Sequence, residues 1–125
     1  MENFNSKANG KCEWFMPDAF YPVKDNGDYV SHEAVCVLNT GDEDAIIEIT
    51  LYFENKEPRS GFTAVCPARR TNHIRMDKLK DINGDGVERG IPYAIYIKSN
   101  TPIICQYSRC DTTQSELSFM GLIAY

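Results

Sequence analysis

The strongest constraint on the fold is a strictly alternating segment at residues 45–54. Ile47, Ile49 and Leu51 fall on one side of the pattern, and Glu48 and Thr50 fall on the other. Successive side chains of a β-strand point to opposite faces of a sheet, whereas those of an α-helix repeat every ~3.6 residues. The segment therefore predicts a strand with one face in the core.

Similar short segments recur along the chain at intervals of roughly 10 residues, separated by turn-forming residues. The predicted strands are residues 12–16, 34–38, 45–54, 62–66, 71–77, 93–98, 103–109 and 116–125. Pro17 is expected to end the first strand, because proline cannot donate a ladder hydrogen bond. Residues 39–44 predict a hairpin between the second and third strands, and residues 99–102 predict a turn between the sixth and seventh.

About eight short strands predict an all-β fold. With 125 residues in total, we expect a single domain, an antiparallel β-sandwich resembling a jelly roll, over residues 12–125. Residues 1–11 are expected to be a flexible N-terminal lead-in. One helical turn is expected near residues 77–81.

The charge balance limits the classes of partner. The net charge of −5 disfavours nucleic acid and anionic lipid, because both attract positive surfaces. No stretch approaches the ~18 apolar residues of a membrane span, and the N-terminus lacks the apolar run of a signal peptide. The five cysteines include no Cys-x-x-Cys pair and are expected to be reduced thiols. These features predict a cytoplasmic protein.

Polar residues with binding chemistry are concentrated after the fourth predicted strand. Thr71, His73 and Arg75 point the same way in a strand, and Arg69 and Arg70 precede them directly. Guanidinium, imidazole and hydroxyl groups on one face can bind a carboxylate or the hydroxyls of a sugar. The alternative is an ordinary solvated strand face.

Two further side chains, those of His32 and Trp14, have two interpretations each. His32 and Glu33 are adjacent, so in a strand they face opposite ways and cannot form an acid–base pair with each other there. His32 is either a ligand contact or a hydrogen-bonded structural histidine. Trp14, the single tryptophan, is either a stacking surface for a sugar or a partner, or a residue at the rim of the core.

Residues 81–86, DINGDG, match the first half of a calcium-binding loop. The last ligand position would fall on Pro92 instead of a glutamate, so the alternative is a simple Gly/Asp turn, and we predict no metal or cofactor. The chain has no nucleophile elbow, phosphate loop, dinucleotide-binding fingerprint or zinc-spaced cluster. We therefore expect that it is not an enzyme.

Several segments resemble the sensory rhodopsin transducer family in order and spacing, from Trp14 to Tyr125. The matching segments are SHEAVCVLN (31–39), GDEDA (41–45), EIT (48–50), KEP (56–58) and PARRT (67–71). Shorter matches follow at HIR (73–75), Gln106, Arg109 and IAY (123–125).

This resemblance implies a small cytoplasmic β-sandwich that forms a homotetramer, is not an enzyme and couples a membrane photoreceptor to downstream signalling. The wider family resembles small-molecule binding domains, with sugars as the implied ligands. Carried over by position, the residues expected around a ligand pocket or receptor-facing surface are Trp14, His32, Glu33, Arg69, Arg70, Thr71, His73, Arg75, Gln106 and Arg109.

Three functions remain open from the sequence. The first is a module that binds a sugar or sugar acid, with the arginines as polar contacts and Trp14 as a stacking wall. The second is a protein–protein adaptor for a membrane receptor of the rhodopsin type. The third is a DNA-binding regulator, which the negative charge of the chain disfavours.

Overall fold

A computed structural model describes residues 7–23, 25–26, 30–113 and 118–125. Its strands are β1 (Lys11–Phe20), β2 (His32–Asn39), β3 (Ala45–Phe53), β4 (Arg59–Cys66), β5 (Arg70–Arg75), β6 (Pro92–Asp111) and β7 (Ser118–Ile123). A 3-10 helix, Met76–Lys78, overlaps the helical turn expected near residues 77–81. The prediction of an all-β, antiparallel, sandwich-like fold is confirmed, with these seven strands forming one curled sheet. The start of the predicted last strand, residues 116–117, lies outside the described residues.

The long strand β6 joins the two halves of the fold. Its residues up to Ile103 pair with β1 and β3, and its residues from Ile104 onward pair with β2 and β7. β4 extends the sheet beyond β3, and β5 extends it beyond β2. Each of the other six strands therefore reaches β6 directly or through one neighbour.

The predicted turn at residues 99–102 is wrong. β6 is a continuous strand of 20 residues, and the side chains of Ser99 and Thr101 are buried within it. The register against β1 skips at this place, from Lys98 opposite Glu13 to Ile103 opposite Lys11. The polar residues thus mark an irregularity at which β6 passes from one set of partners to the other, and two predicted strands become one.

The predicted hairpin between the second and third strands is also wrong. β2 pairs with β5 and β6, whereas β3 pairs with β4 and β6. The side-chain amide of Asn39 donates to the carbonyl oxygens of Glu43 at 2.8 Å and Cys66 at 3.0 Å. These bonds hold the connection between β2 and β3 in a conformation that leads to the other half of the sheet. β3 therefore does not fold back to pair with β2.

Pro17 does not end the first strand, which continues to Phe20. It lies where the register of β1 against β6 shifts between Met16 and Ala19. A bulge-like irregularity tolerates proline, because no ladder hydrogen bond is needed from its nitrogen.

The alternation predicted for β3 is confirmed. Ile47, Ile49 and Leu51 are fully buried, whereas Ile46 and Glu48 are exposed. Burying each of these aliphatic side chains contributes roughly 1.5–3 kcal/mol. The core also contains Phe62, Ile95, Ile97, Ile103 and Tyr107. The five cysteines are free thiols, as predicted.

Gly10 is required where the chain enters β1. Its φ of 103° is left-handed, and a Cβ at this position would fall 2.0 Å from the carbonyl oxygen of Ile103. Gly84 has a φ of 84° but no atom within 4 Å of such a Cβ.

We expect Gly84→Ala to lose about 1 kcal/mol of unfolding free energy from backbone strain alone, and Gly10→Ala to lose at least ~2 kcal/mol. Urea denaturation measures both, and equal losses would contradict the steric argument.

Candidate functional site

A buried carboxylate lies between the two halves of β6. Glu33 of β2 is fully buried, and its carboxylate accepts three hydrogen bonds. The Tyr93 hydroxyl donates to Oε1 at 2.5 Å, and the backbone N–H of Phe20 donates to Oε2 at 2.8 Å. The Tyr107 hydroxyl also donates to Oε2. A carboxylate needs such donors in the core, because an unpaired buried charge costs several kcal/mol.

The two phenols keep their protons. Burial raises the pKa of Tyr93 well above its ordinary value, and the charge of Glu33 raises it further. Burial and Glu33 raise the pKa of Tyr107 in the same way. Both hydroxyls therefore remain hydrogen-bond donors to Glu33 throughout the neutral pH range.

Arg109 supplies a positive charge beside this cluster. Its Nε–H donates to the Tyr107 hydroxyl oxygen at 3.1 Å, so that hydroxyl links the guanidinium to Glu33. The side chain of Arg109 is 12% exposed, and its Nη2 lies 3.5 Å from Oδ1 of Asp18. Nη2 is buried and has no hydrogen-bond partner within the described part of the chain. The guanidinium is therefore held by Tyr107 and by the nearby carboxylate of Asp18.

A cleft of about 480 Å³ opens between β1 and β7. Phe15 and Tyr125 exchange backbone hydrogen bonds of 2.5 and 2.8 Å next to it. The lining residues are Met16, Pro17, Asp18, Tyr107, Gly121, Leu122, Ile123 and Tyr125. Arg109 contacts two of them, Asp18 and Tyr107. The volume is within the range of roughly 300–1,000 Å³ that is usual for small-molecule sites.

The strand register confirms that Thr71, His73 and Arg75 share a face. Directly opposite residues of antiparallel strands have their side chains on the same face. His73 lies opposite Cys36, which lies opposite Gln106, so Gln106 belongs to this face too. We call it the outer face, because Ile74, between His73 and Arg75, points into the core.

Two of the outer-face groups are already bonded within the chain. The Arg75 guanidinium donates to both carboxylate oxygens of Asp77, at 2.7 and 2.8 Å. The Thr71 hydroxyl donates to the carbonyl oxygen of Val37 at 2.9 Å. His73 and Gln106 are exposed, so they are the outer-face groups most open to a partner.

The remaining predicted residues lie apart from the Glu33 cluster. The indole N–H of Trp14 is shared by two backbone carbonyl oxygens, at 2.8 and 3.0 Å. His32 Nδ1 lies 3.0 Å from the carbonyl oxygen of Val30. Arg69 and Arg70 are exposed at the turn that leads into β5. The polar edge of Trp14 is thus used internally, which fits the structural interpretation of this residue.

The structure brings together only part of the predicted set. Glu33 and Arg109 are direct neighbours across β2 and β6, on the face opposite the outer face. Asp18, Tyr93 and Tyr107 were not among the site residues predicted from the sequence. Tyr107 lies two residues before Arg109, so strand periodicity alone could have placed both on one face. Asp18 and Tyr93 had no local signal, because they reach the cluster from other segments of the chain.

The loop at residues 81–86 forms a turn that is closed by hydrogen bonds to Asp81. Oδ1 of Asp81 accepts the backbone N–H groups of Asn83 and Asp85, both at 2.9 Å, and Oδ2 accepts from Arg59 at 2.9 Å. The carboxylate of the first calcium-ligand position is therefore bound by donors of the protein itself. No group of three or more His, Cys, Asp or Glu side chains in the described ranges is arranged to hold a metal ion.

Fold and sequence together define the class of this protein. The family model described as Anabaena sensory rhodopsin transducer matches residues 9–125. The chain therefore belongs to the Anabaena sensory rhodopsin transducer family, and the resemblance seen in the sequence is confirmed.

Two solved structures are similar to most of the chain. The crystal structure of Thermotoga maritima 1070 is 35% identical with a TM-score of 0.81, and the match covers 94% of this chain and 95% of that one. The Anabaena sensory rhodopsin transducer is 38% identical with a TM-score of 0.73, over 82% of this chain and 97% of that one. No match was found among curated protein sequences. Within the residues described, no helix is long and apolar enough to cross a membrane.

The substitution Glu33→Gln removes the buried charge but keeps the side-chain shape. We expect a loss of roughly 2–4 kcal/mol in unfolding free energy, because the amide has one acceptor oxygen and presents an N–H₂ group to a tyrosine donor. Glu48→Gln, on the exposed side of β3, is the matched control and should change stability by less than about 0.5 kcal/mol. Urea denaturation at pH 7 distinguishes the two, and equal effects would refute the role of Glu33.

Proposed function

We propose that this protein is a non-catalytic cytoplasmic signalling module that binds a small sugar or sugar acid in the cleft between β1 and β7. The observation that carries the proposal is the cleft itself, of about 480 Å³, whose lining includes the exposed carboxylate of Asp18. Membership of a transducer family supports the signalling role.

The cleft lining suits a ring that has both apolar C–H groups and hydroxyls. Met16 and Leu122 provide apolar contact, and the exposed ring of Tyr125 provides a flat surface on which the C–H face of a sugar can stack. Asp18 can accept hydrogen bonds from ligand hydroxyls. A mainly apolar lining with a few polar groups is typical of small-molecule sites.

The outer face has a different proposed role, as a receptor-facing surface. Its exposed polar residues include His73 and Gln106, and the exposed apolar residues Leu38 and Ile104 are opposite each other on the same face. Leu38 is also opposite Thr71. A sheet face that mixes exposed apolar and polar side chains in this way suits a protein partner better than a small ligand.

A thermal-shift screen against sugars, sugar acids and polyols tests ligand binding. A ligand at about 100 times its Kd adds ~2.7 kcal/mol, which should raise the Tm of a domain of this size by roughly 8–16 °C. Asp18→Asn should reduce the shift. Asp42→Asn, also exposed but remote from the cleft lining, should leave it unchanged. A screen without any shift would overturn the proposal.

The second candidate function is an adaptor that assembles as a homotetramer and contacts a membrane receptor of the rhodopsin type. The observation that favours it is the exposure of β7, where Phe119 is 66% exposed and Ile123 is 76% exposed. β7 pairs with β6 on one side, and its six residues contain neither a charge nor proline. Strands of this kind at a sheet edge are usually covered by a partner.

The mass of the assembly tests the adaptor hypothesis. We expect light scattering to give four chains per particle, and Phe119→Asp to shift the mass toward the monomer, because a charge there opposes apolar association. Ile82→Asp, at an 86% exposed position of the loop at residues 81–86, is the control and should keep the mass. A monomeric wild-type protein would rule out the tetramer.

A further inference from the structure

We infer that the cleft between β1 and β7 selects neutral, hydroxyl-bearing ligands over their carboxylate counterparts. The inference rests on the proposed ligand binding and narrows it, because the sequence left sugars and sugar acids equally open. It follows from the charges and hydrogen-bonding capacity of Glu33, Arg109 and Asp18.

The positive charge of Arg109 is already matched by a buried carboxylate. Its Nε–H donates to the Tyr107 hydroxyl, and that hydroxyl donates in turn to Glu33. Glu33 is fully buried, so water screens its charge little and the charge acts on any anion that reaches Arg109. The charge of the guanidinium is therefore already compensated within the protein and is not available to pair with an acidic ligand.

Asp18 adds a second negative charge at the cleft. Its Oδ1 lies 3.5 Å from Nη2 of Arg109, and its side chain is 77% exposed. Solvent weakens this charge, but with Glu33 it gives two carboxylates to one guanidinium. No lysine, arginine or histidine is among the described residues that line the cleft, so nothing in the lining offsets the excess.

The hydrogen-bond geometry points to the same ligand class. A distance of 3.5 Å from Asp18 Oδ1 to Arg109 Nη2 exceeds the usual ~2.7–3.2 Å of an N–H···O bond. A ligand hydroxyl in the cleft can donate to the exposed carboxylate of Asp18. A carboxylate can only accept, so it would leave Asp18 without a donor and bring a third negative charge into the cluster.

Titration calorimetry with matched neutral and acidic sugars tests the inference. The pairs are glucose with glucuronate, galactose with galacturonate, and mannose with mannuronate. For the pair that binds, we expect the neutral sugar to bind at least about tenfold more tightly than its acid, because one uncompensated charge at close range is worth about that factor or more.

Two variants identify the cause of the selectivity. Asp18→Asn changes an exposed residue, so the fold should be kept, and it removes one of the two negative charges. The ratio between the Kd of the acidic sugar and the Kd of the neutral sugar should then fall to about threefold. Asp42→Asn also removes one negative charge from the chain, but this residue is not part of the cleft lining. It should leave the ratio of the two Kd values unchanged.

The possible failures are distinguishable. Tighter or equal binding of the acid would overturn the selectivity while leaving ligand binding intact. An equal effect of the two asparagine variants would overturn the assignment of selectivity to the cleft. Absence of binding by both members of all three pairs would overturn the selectivity together with the proposed sugar site.

Discussion

The fold depends on a single buried carboxylate. Glu33 of β2 accepts hydrogen bonds from Phe20 of β1, from Tyr93 near the start of β6 and from Tyr107 in the second half of β6. Because an unpaired charge in the core is costly, the carboxylate is stable there only when these three donors are in place. Glu33 thus specifies how the two parts of β6 are positioned on either side of their irregular junction.

The same network positions the cleft. Tyr107 lines the cleft, donates to Glu33 and accepts from Arg109, so this wall of the cleft is held by the core instead of by a loop. Leu122 of β7 is directly opposite Tyr107 and also lines the cleft, while Ile123 beside it is exposed. β7 therefore contributes both to the proposed ligand site and to the exposed apolar surface that is proposed for assembly.

The errors of the sequence analysis have a common physical origin. The segments themselves were recognised, because alternation between core and solvent is a local property, as the buried Ile47, Ile49 and Leu51 of β3 show. The errors concern pairing and continuity. Ser99 and Thr101 have turn-forming composition, but burial within β6 overrides it, and the bonds of Asn39 replace the expected hairpin with a crossing to the other half of the sheet.

The sequence by itself determined the period of the strands, the opposite orientation of His32 and Glu33, and the family to which the chain belongs. Only the tertiary structure decided that Glu33 meets Tyr93, 60 residues away, and Tyr107, 74 residues away, and that Asp18 faces Arg109. The physical reason is that strand pairing is non-local. The partner of a strand is chosen by contacts between distant segments, and no single segment contains that information.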